Sequence, residues 1–133
     1  MSALTFFAGY IPSSLASNIK PVEWLPQNDL LAHKDIKAFV SHVGHNSLYE
    51  AAYHGVPVVA FPLFGDQPVN AKKAEHFGLG LTVDFESTNA QQMFETTELV
   101  ITEPRYLFIS YLSLFFEECF KDTTEIVPVV VLT

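Results

Sequence analysis

Cysteine is nearly absent from this 133-residue sequence: Cys119 stands alone, so no disulfide can form within the chain, and the redox compartment cannot be read from it. Basic residues are scarce as well, with seven Lys and Arg against fifteen Asp and Glu and a formal charge of −8. A balance of that sign argues against nucleic acid or an anionic membrane surface as the main partner. It leaves an anionic small ligand open, because oriented backbone N–H groups bind phosphate whatever the net charge. Long apolar runs are missing too. Leu107–Phe116 is interrupted by Ser110 and Ser113 and falls well short of the roughly 20 residues that a membrane-spanning helix needs. Met1–Tyr10 lacks the basic start and the sustained apolar stretch of a signal peptide. No internal repeat, no low-complexity linker, no Gly-x-Gly-x-x-Gly fingerprint and no P-loop lysine occurs. The hydrophobic fraction of 49% suffices for the core of one domain.

The chain then alternates between two kinds of pattern. Pro12–Pro21 is polar and turn-rich and leads into a short extended stretch, Val22–Leu25. Asn28 or Asp29 is suited to cap a short helical turn. Ala38–Ser41 reads as a buried strand, Leu48–His54 as a helix closed by Gly55, and Val56–Phe61 as a second buried strand. A helix is expected from Pro68 to Phe77, with Asp66 as N-cap and Gly78 beyond its end, followed by a strand over Leu79–Phe85. A last helix spans Asn89–Ile101 and stops before Pro104. Ala52, Val56, Val58 and Phe61 are assigned to the core, and His33, His54 and His76 to structural or exposed positions. Strands alternating with helices imply an α/β fold with a parallel sheet, whose ligands bind at the carboxyl ends of the strands. The loops His42–Ser47 and Phe64–Gln67 both leave such ends and should face one crevice.

The first of these loops has the makings of a phosphate site. It runs straight into a helix, whose opening N–H groups lack intrahelical partners and carry the positive end of the helix dipole. Gly44 lets an anion approach the backbone, and His42, Asn46 and Ser47 add side-chain donors. A plainer alternative stands beside this: Ser47-x-x-Glu50 has the spacing of a capping box. His42 and His45 have no third ligand at a spacing that suits zinc, so no metal site is assigned.

The order of motifs is specific. Phe39-Val40-Ser41-His42-x-Gly44-x-Asn46-Ser47-x-x-Glu50, then Gly55-Val56-Pro57, then Pro62-Leu63-Phe64-x-Asp66-Gln67-x-x-Asn70-Ala71 resembles the UDP-glycosyltransferase signature. Trp24-Leu25-Pro26-Gln27-Asn28-Asp29-Leu30-Leu31-x-His33 is similar to the segment that precedes it in the animal UDP-glucuronosyltransferases. The resemblance implies a Rossmann-like parallel sheet, the C-terminal, donor-binding half of a GT-B glycosyltransferase, over residues 1–106, with 107–133 as a divergent apolar tail. It implies that Trp24 stacks on uracil and that Gln27 meets the uracil and ribose edge. His42 donates to the diphosphate. Gly44, Asn46 and Ser47 line the phosphate site. Glu50 accepts the ribose hydroxyls, and Asp66 and Gln67 grip the sugar. The donor is UDP-glucuronic acid or another UDP-sugar, with no cofactor and no metal. The acceptor is a small lipophilic molecule bound by an N-terminal domain that also supplies the catalytic base, so no catalytic residue is expected in this chain.

By the same resemblance the family sits at the endoplasmic reticulum membrane and can form homo- or hetero-oligomers. The fragment by itself is expected to bind UDP-sugar and transfer nothing; the alternative is a non-catalytic isoform that pairs with a full-length transferase. Two departures from the family pattern carry expectations of their own. Val43 replaces a small residue, and its branched side chain resists positive φ and is expected to crowd the phosphate approach. The family's first strand has no counterpart, which should leave neighbouring strands unpaired or force a rearranged sheet. After Tyr106 the sequence reads as unrelated to the family, and Phe115-Phe116 and Val129–Leu132 are aggregation-prone if exposed.

Overall fold

The computed structural model of the protein describes residues 3–5, 19–22, 24–106 and 131–132. Six strands form one sheet: β1 (Ala3–Thr5), β2 (Ile19–Pro21), β3 (Phe39–Ser41), β4 (Val58–Ala60), β5 (Gly80–Thr82) and β6 (Val131–Leu132). They are accompanied by the helices α1 (Gln27–Leu31), α2 (His45–Tyr53), α3 (Gln67–His76) and α4 (Ala90–Thr102). The order across the sheet is β2-β1-β6-β3-β4-β5, and every pairing is parallel.

The core follows from the two-residue period of the central strands, because successive side chains point to opposite faces. Phe39, Val58 and Ala60 join Leu31 of α1, Ala51 of α2 and Ala71 of α3 in one apolar cluster. Ala38, Val40 and Val59 join Val100 of α4 in a second. Three helices thus cover one face and α4 covers the other. This explains why β3 and β4 are buried along their whole length and read as continuous apolar runs. Val56 and Val58 are core as expected, whereas Ala52 and Phe61 are only half-buried.

Several boundaries differ from the sequence reading. The extended stretch expected at Val22–Leu25 forms earlier, as β2. This strand lies at the sheet edge, where Pro21, which has no N–H to give, is tolerated. Helix α1 starts behind Pro26 instead of Asn28 or Asp29, the Leu30 N–H reaching the Pro26 carbonyl at 3.0 Å. Helix α2 opens at His45, three residues before the expected Leu48, with Gly44 at its N-cap. Ser47 therefore lies inside the helix, and the capping-box alternative for Ser47 and Glu50 does not hold. Asp66 occupies the N-cap of α3, but its side chain makes no capping bond. The turn-rich segment 12–18 and most of the tail lie outside the described residues.

The far edge of the sheet is managed by α3. Glu75 Oε1 accepts the Thr82 N–H at 2.9 Å, satisfying a donor that the edge strand β5 would otherwise present to another chain. Between β5 and α4, Asp84 collects the Ser87 hydroxyl and the backbone N–H groups of Ser87 and Glu86. Chiefly the Ser87 bonds hold its carboxyl below the usual value. Helix α4 starts with a true capping box: Asn89 Oδ1 accepts the Gln92 N–H and Gln92 Oε1 accepts the Asn89 N–H, both at 2.9 Å. Asn89→Ala is expected to lower the urea-unfolding free energy by about 1 kcal/mol; no measurable change would remove the cap as a determinant of α4. Among the described residues no helix is long and apolar enough to cross a membrane.

Candidate functional site

The site is built where the sheet's parallel strands end. β3 and β4 run side by side in register, and the Phe61 N–H continues the ladder to the Ser41 carbonyl at 2.8 Å. The chain segments leaving β3 and β4 therefore emerge together, one into α2 and the other into α3. Helix α2 packs against both α1 and α3, so the segment carrying Trp24 and Gln27 is brought to the same region.

Three sequence-predicted residues are tied directly. The side-chain amide of Gln27 donates from Nε2 to Glu50 Oε2 at 2.7 Å and to Ser47 Oγ at 3.1 Å. Beside this clamp lies a groove of about 400 Å³ lined by Trp24, Leu25, Pro26, Gln27, Asn28, Asp29 and Glu50. Trp24 is 84% exposed. That excludes a place in the core and leaves an indole face free to take a flat ring. The other oxygen of Glu50, Oε1, makes no hydrogen bond among the described residues and remains available as a charged acceptor. Below the groove, His54 Nε2 and Asn28 Oδ1 lie 2.8 Å apart and join the end of α2 to α1, a structural role.

The second cluster is the mouth of α2. No side chain at the N-cap claims the first-turn amides; the first backbone bond of the helix runs from the Leu48 N–H to the Gly44 carbonyl at 3.0 Å. Amides free in this way form an anion site by geometry and dipole together. The His42 ring lies over Gly44: a Cβ on that glycine would sit 2.8 Å from His42 Nε2. The imidazole thus lies at the helix opening, and a side chain at position 44 would have to displace it. Asn46 is exposed there and Ser47 half-buried.

Val43 behaves differently from the expectation. It adopts φ 55, the only positive-φ residue other than glycine among those described. Its side chain is fully buried in the apolar cluster with Leu25, Ala51 and Ala71. The isopropyl group points into the core, so it does not crowd the anion approach. The conformation itself costs on the order of 1–3 kcal/mol. It is held by the Val43 N–H donating to Ser41 Oγ and by Asn70 Nδ2 donating to the Val43 carbonyl, each at 3.1 Å.

Asp66 and Gln67 stand on the neighbouring loop. Asp66 is exposed, and its Oδ2 accepts from Asn70 Nδ2 at 2.8 Å. Gln67 is buried, and its Oε1 accepts the N–H groups of Leu63 at 2.8 Å and Phe64 at 3.0 Å. The carbonyl end of Gln67 is therefore spent on shaping the loop, which leaves its amide nitrogen as the end able to meet a ligand. His42, Asn46, Asp66 and Gln67 lie outside the lining of the Trp24 groove. Sequence reasoning gave no role to Ser41 or Asn70. The Asp66-x-x-x-Asn70 spacing, one helical turn, was the available signal. Among the described residues no three His, Cys, Asp or Glu side chains cluster to hold a metal.

The chain is similar in sequence and fold to known proteins. The family model for UDP-glucoronosyl and UDP-glucosyl transferase matches residues 2–114. The chain is 45% identical over 100 residues to 2-hydroxyacylsphingosine 1-beta-galactosyltransferase of Homo sapiens, covering 75% of this chain and 18% of that protein. It is 47% identical over 93 residues to UDP-glucuronosyltransferase 3A1 of Mus musculus, covering 70% and 18%. It thus spans under a fifth of the length of these relatives. Among solved structures, the spinosyn forosaminyltransferase SpnP superposes with a TM-score of 0.75 at 20% identity, covering 91% of this chain and 32% of that one. Os79 from O. sativa in complex with UDP superposes with a TM-score of 0.67 at 22% identity, covering 86% and 35%. At those identities the superpositions establish the fold, the Rossmann-like half of a GT-B glycosyltransferase. With a family model matched over most of its length and with relatives above 40% identity, the chain belongs to the UDP-glucuronosyl and UDP-glucosyl transferase family.

Proposed function

We propose that this chain binds the nucleotide-sugar donor of a UDP-glycosyltransferase reaction. The observation that carries the reading is the Gln27 amide, which ties Glu50 and Ser47 together at the edge of a groove beneath an uncovered indole. Uracil stacks on Trp24, where a flat polarisable face suits a base. The ribose hydroxyls donate to the Glu50 carboxylate, whose oxygens are acceptors. The diphosphate rests against the amides at the opening of α2, with His42 as a further donor. Asp66 and the amide nitrogen of Gln67 meet the sugar hydroxyls.

In the reaction an acceptor hydroxyl, deprotonated by a base that this chain does not supply, attacks the anomeric carbon with inversion, and UDP leaves. Donors aimed at the departing diphosphate stabilise the charge that grows there, which is the contribution this chain makes to the rate. The donor is UDP-glucuronic acid or another UDP-hexose, and the acceptor is a small lipophilic molecule held elsewhere. The working location is the endoplasmic reticulum membrane, and the chain alone binds without transferring.

Calorimetric titration with UDP tests this reading. Binding in the micromolar-to-millimolar range is expected, weakened about tenfold in Trp24→Ala, since loss of an aromatic stack on a base costs about 1–3 kcal/mol. Absence of heat at millimolar UDP would reject the donor site. A second reading is favoured by Leu63 and Phe64, exposed at 50% and 72% on the loop that follows β4: a non-catalytic chain that pairs with a full-length transferase. Co-purification with such a subunit, indifferent to UDP, would favour pairing over donor binding.

A further inference from the structure

We propose that Asn70 is a positioning residue that couples the phosphate-binding turn to the sugar-binding aspartate; the inference rests on the donor-site reading above. Asn70 is 3% exposed, and its Nδ2 carries two N–H groups. One goes to the Val43 carbonyl at 3.1 Å, in the loop between β3 and α2. The other goes to Asp66 Oδ2 at 2.8 Å, in the loop between β4 and α3. Because both hydrogens sit on one planar nitrogen, the two acceptors are fixed relative to each other as well as to α3.

Each bond restrains something that would otherwise move. On the Asp66 side, one carboxylate oxygen is fastened, so the exposed group presents its second oxygen to a ligand in a set direction. On the Val43 side, the fastened carbonyl belongs to a branched residue at φ 55, a conformation that springs back when its ties are cut. The next residue, Gly44, is the N-cap of α2, whose carbonyl receives the Leu48 N–H and over which His42 lies. Releasing the Val43 carbonyl therefore disturbs the anion-binding amides and His42, and releasing Asp66 blurs recognition of the sugar. A buried asparagine that merely filled space would do neither.

The test has two readouts on the whole chain. The first needs no ligand. In Asn70→Ala, amide exchange at Leu48, the first helical bond of α2, is expected to rise at least tenfold relative to amides of α4. Leu48 exchange that is unchanged, or that rises only in step with α4, would overturn the proposal even if the chain bound no nucleotide. The second compares UDP with UDP-glucose by calorimetry. Asn70→Ala is expected to weaken UDP several-fold and UDP-glucose by a further factor of about five, and that further factor should vanish in an Asp66→Ala background. An unchanged ratio of the two affinities, or an extra loss that persists without Asp66, would overturn the coupling while leaving the donor site intact. Wild-type chain that binds neither ligand would instead remove the donor-site reading.

Discussion

Gly80→Ala is expected to lower the unfolding free energy by roughly 3 kcal/mol, at the upper end of what overpacking a core costs. Gly80 is buried at the start of β5 and pairs in register with Val58 of β4. A Cβ at this position would run into the Val58 carbonyl, with the Val58 backbone nitrogen close behind. The obstacle is backbone in a strand buried on both faces, so it cannot swing aside as a flexible side-chain end would. The φ at Gly80 is not in the left-handed region, and the effect is therefore steric, not conformational. Relief requires β5 to shift away from β4, which strains the 2.8 Å bond from the Val58 N–H to the Leu79 carbonyl. Urea unfolding of the whole chain reads the effect as a fall in the midpoint. A loss below about 1 kcal/mol would mean that the β4–β5 ladder is looser than the close approach implies.

Glu50→Ala is expected to weaken UDP binding between tenfold and a hundredfold. A hydrogen bond to a charged group contributes about 1.5–3 kcal/mol, and tenfold in affinity corresponds to about 1.4. The carboxylate faces the groove with Oε2 engaged by Gln27 and Oε1 open. Removing it deletes the proposed ribose acceptor and leaves the Gln27 amide with Ser47 as its remaining side-chain partner. Sugar dependence separates the two consequences. With the deoxyribose analogue of UDP, the wild-type chain should already bind more weakly, and Glu50→Ala should add little. Equal losses for the ribose and deoxyribose ligands would assign Glu50 to shaping Gln27 instead of holding ribose.

Much of this site is legible from residues near one another along the chain. Trp24 and Gln27, His42 through Glu50, and Asp66 with Gln67 each form a local group, and the loops that carry them are recognisable by apolar strands on one side and helix signals on the other. Terminal details were less legible. The opening of α2 at His45 and not Leu48 depends on Gly44 serving as an N-cap without a side chain, an arrangement with no capping residue to announce it. The orientation of Val43 was misjudged because local sterics alone disfavour its φ, whereas burial and the bonds from Ser41 and Asn70 offset that cost. Gln67 shows the same gap: its side-chain type suits a sugar, yet which end of the amide is left for one is settled by Leu63 and Phe64.

By itself the sequence determined that this is a parallel α/β chain of the UDP-glycosyltransferase family, because strand and helix periods and motif spacings are properties of neighbouring residues. Only the tertiary structure decided how the sheet is completed. In a doubly wound sheet the strand that comes first in sequence lies in the middle; here the last described strand, Val131–Leu132, takes that place, pairing with Leu4 and Thr5 on one side and Val40 on the other. Likewise, only the fold set one Gln27 amide on Ser47 and Glu50, and one Asn70 amide on Val43 and Asp66. Backbone and amide hydrogen bonds accept almost any partner of the right geometry, so their choice is made by which distant segments packing brings within 3 Å or so of each other.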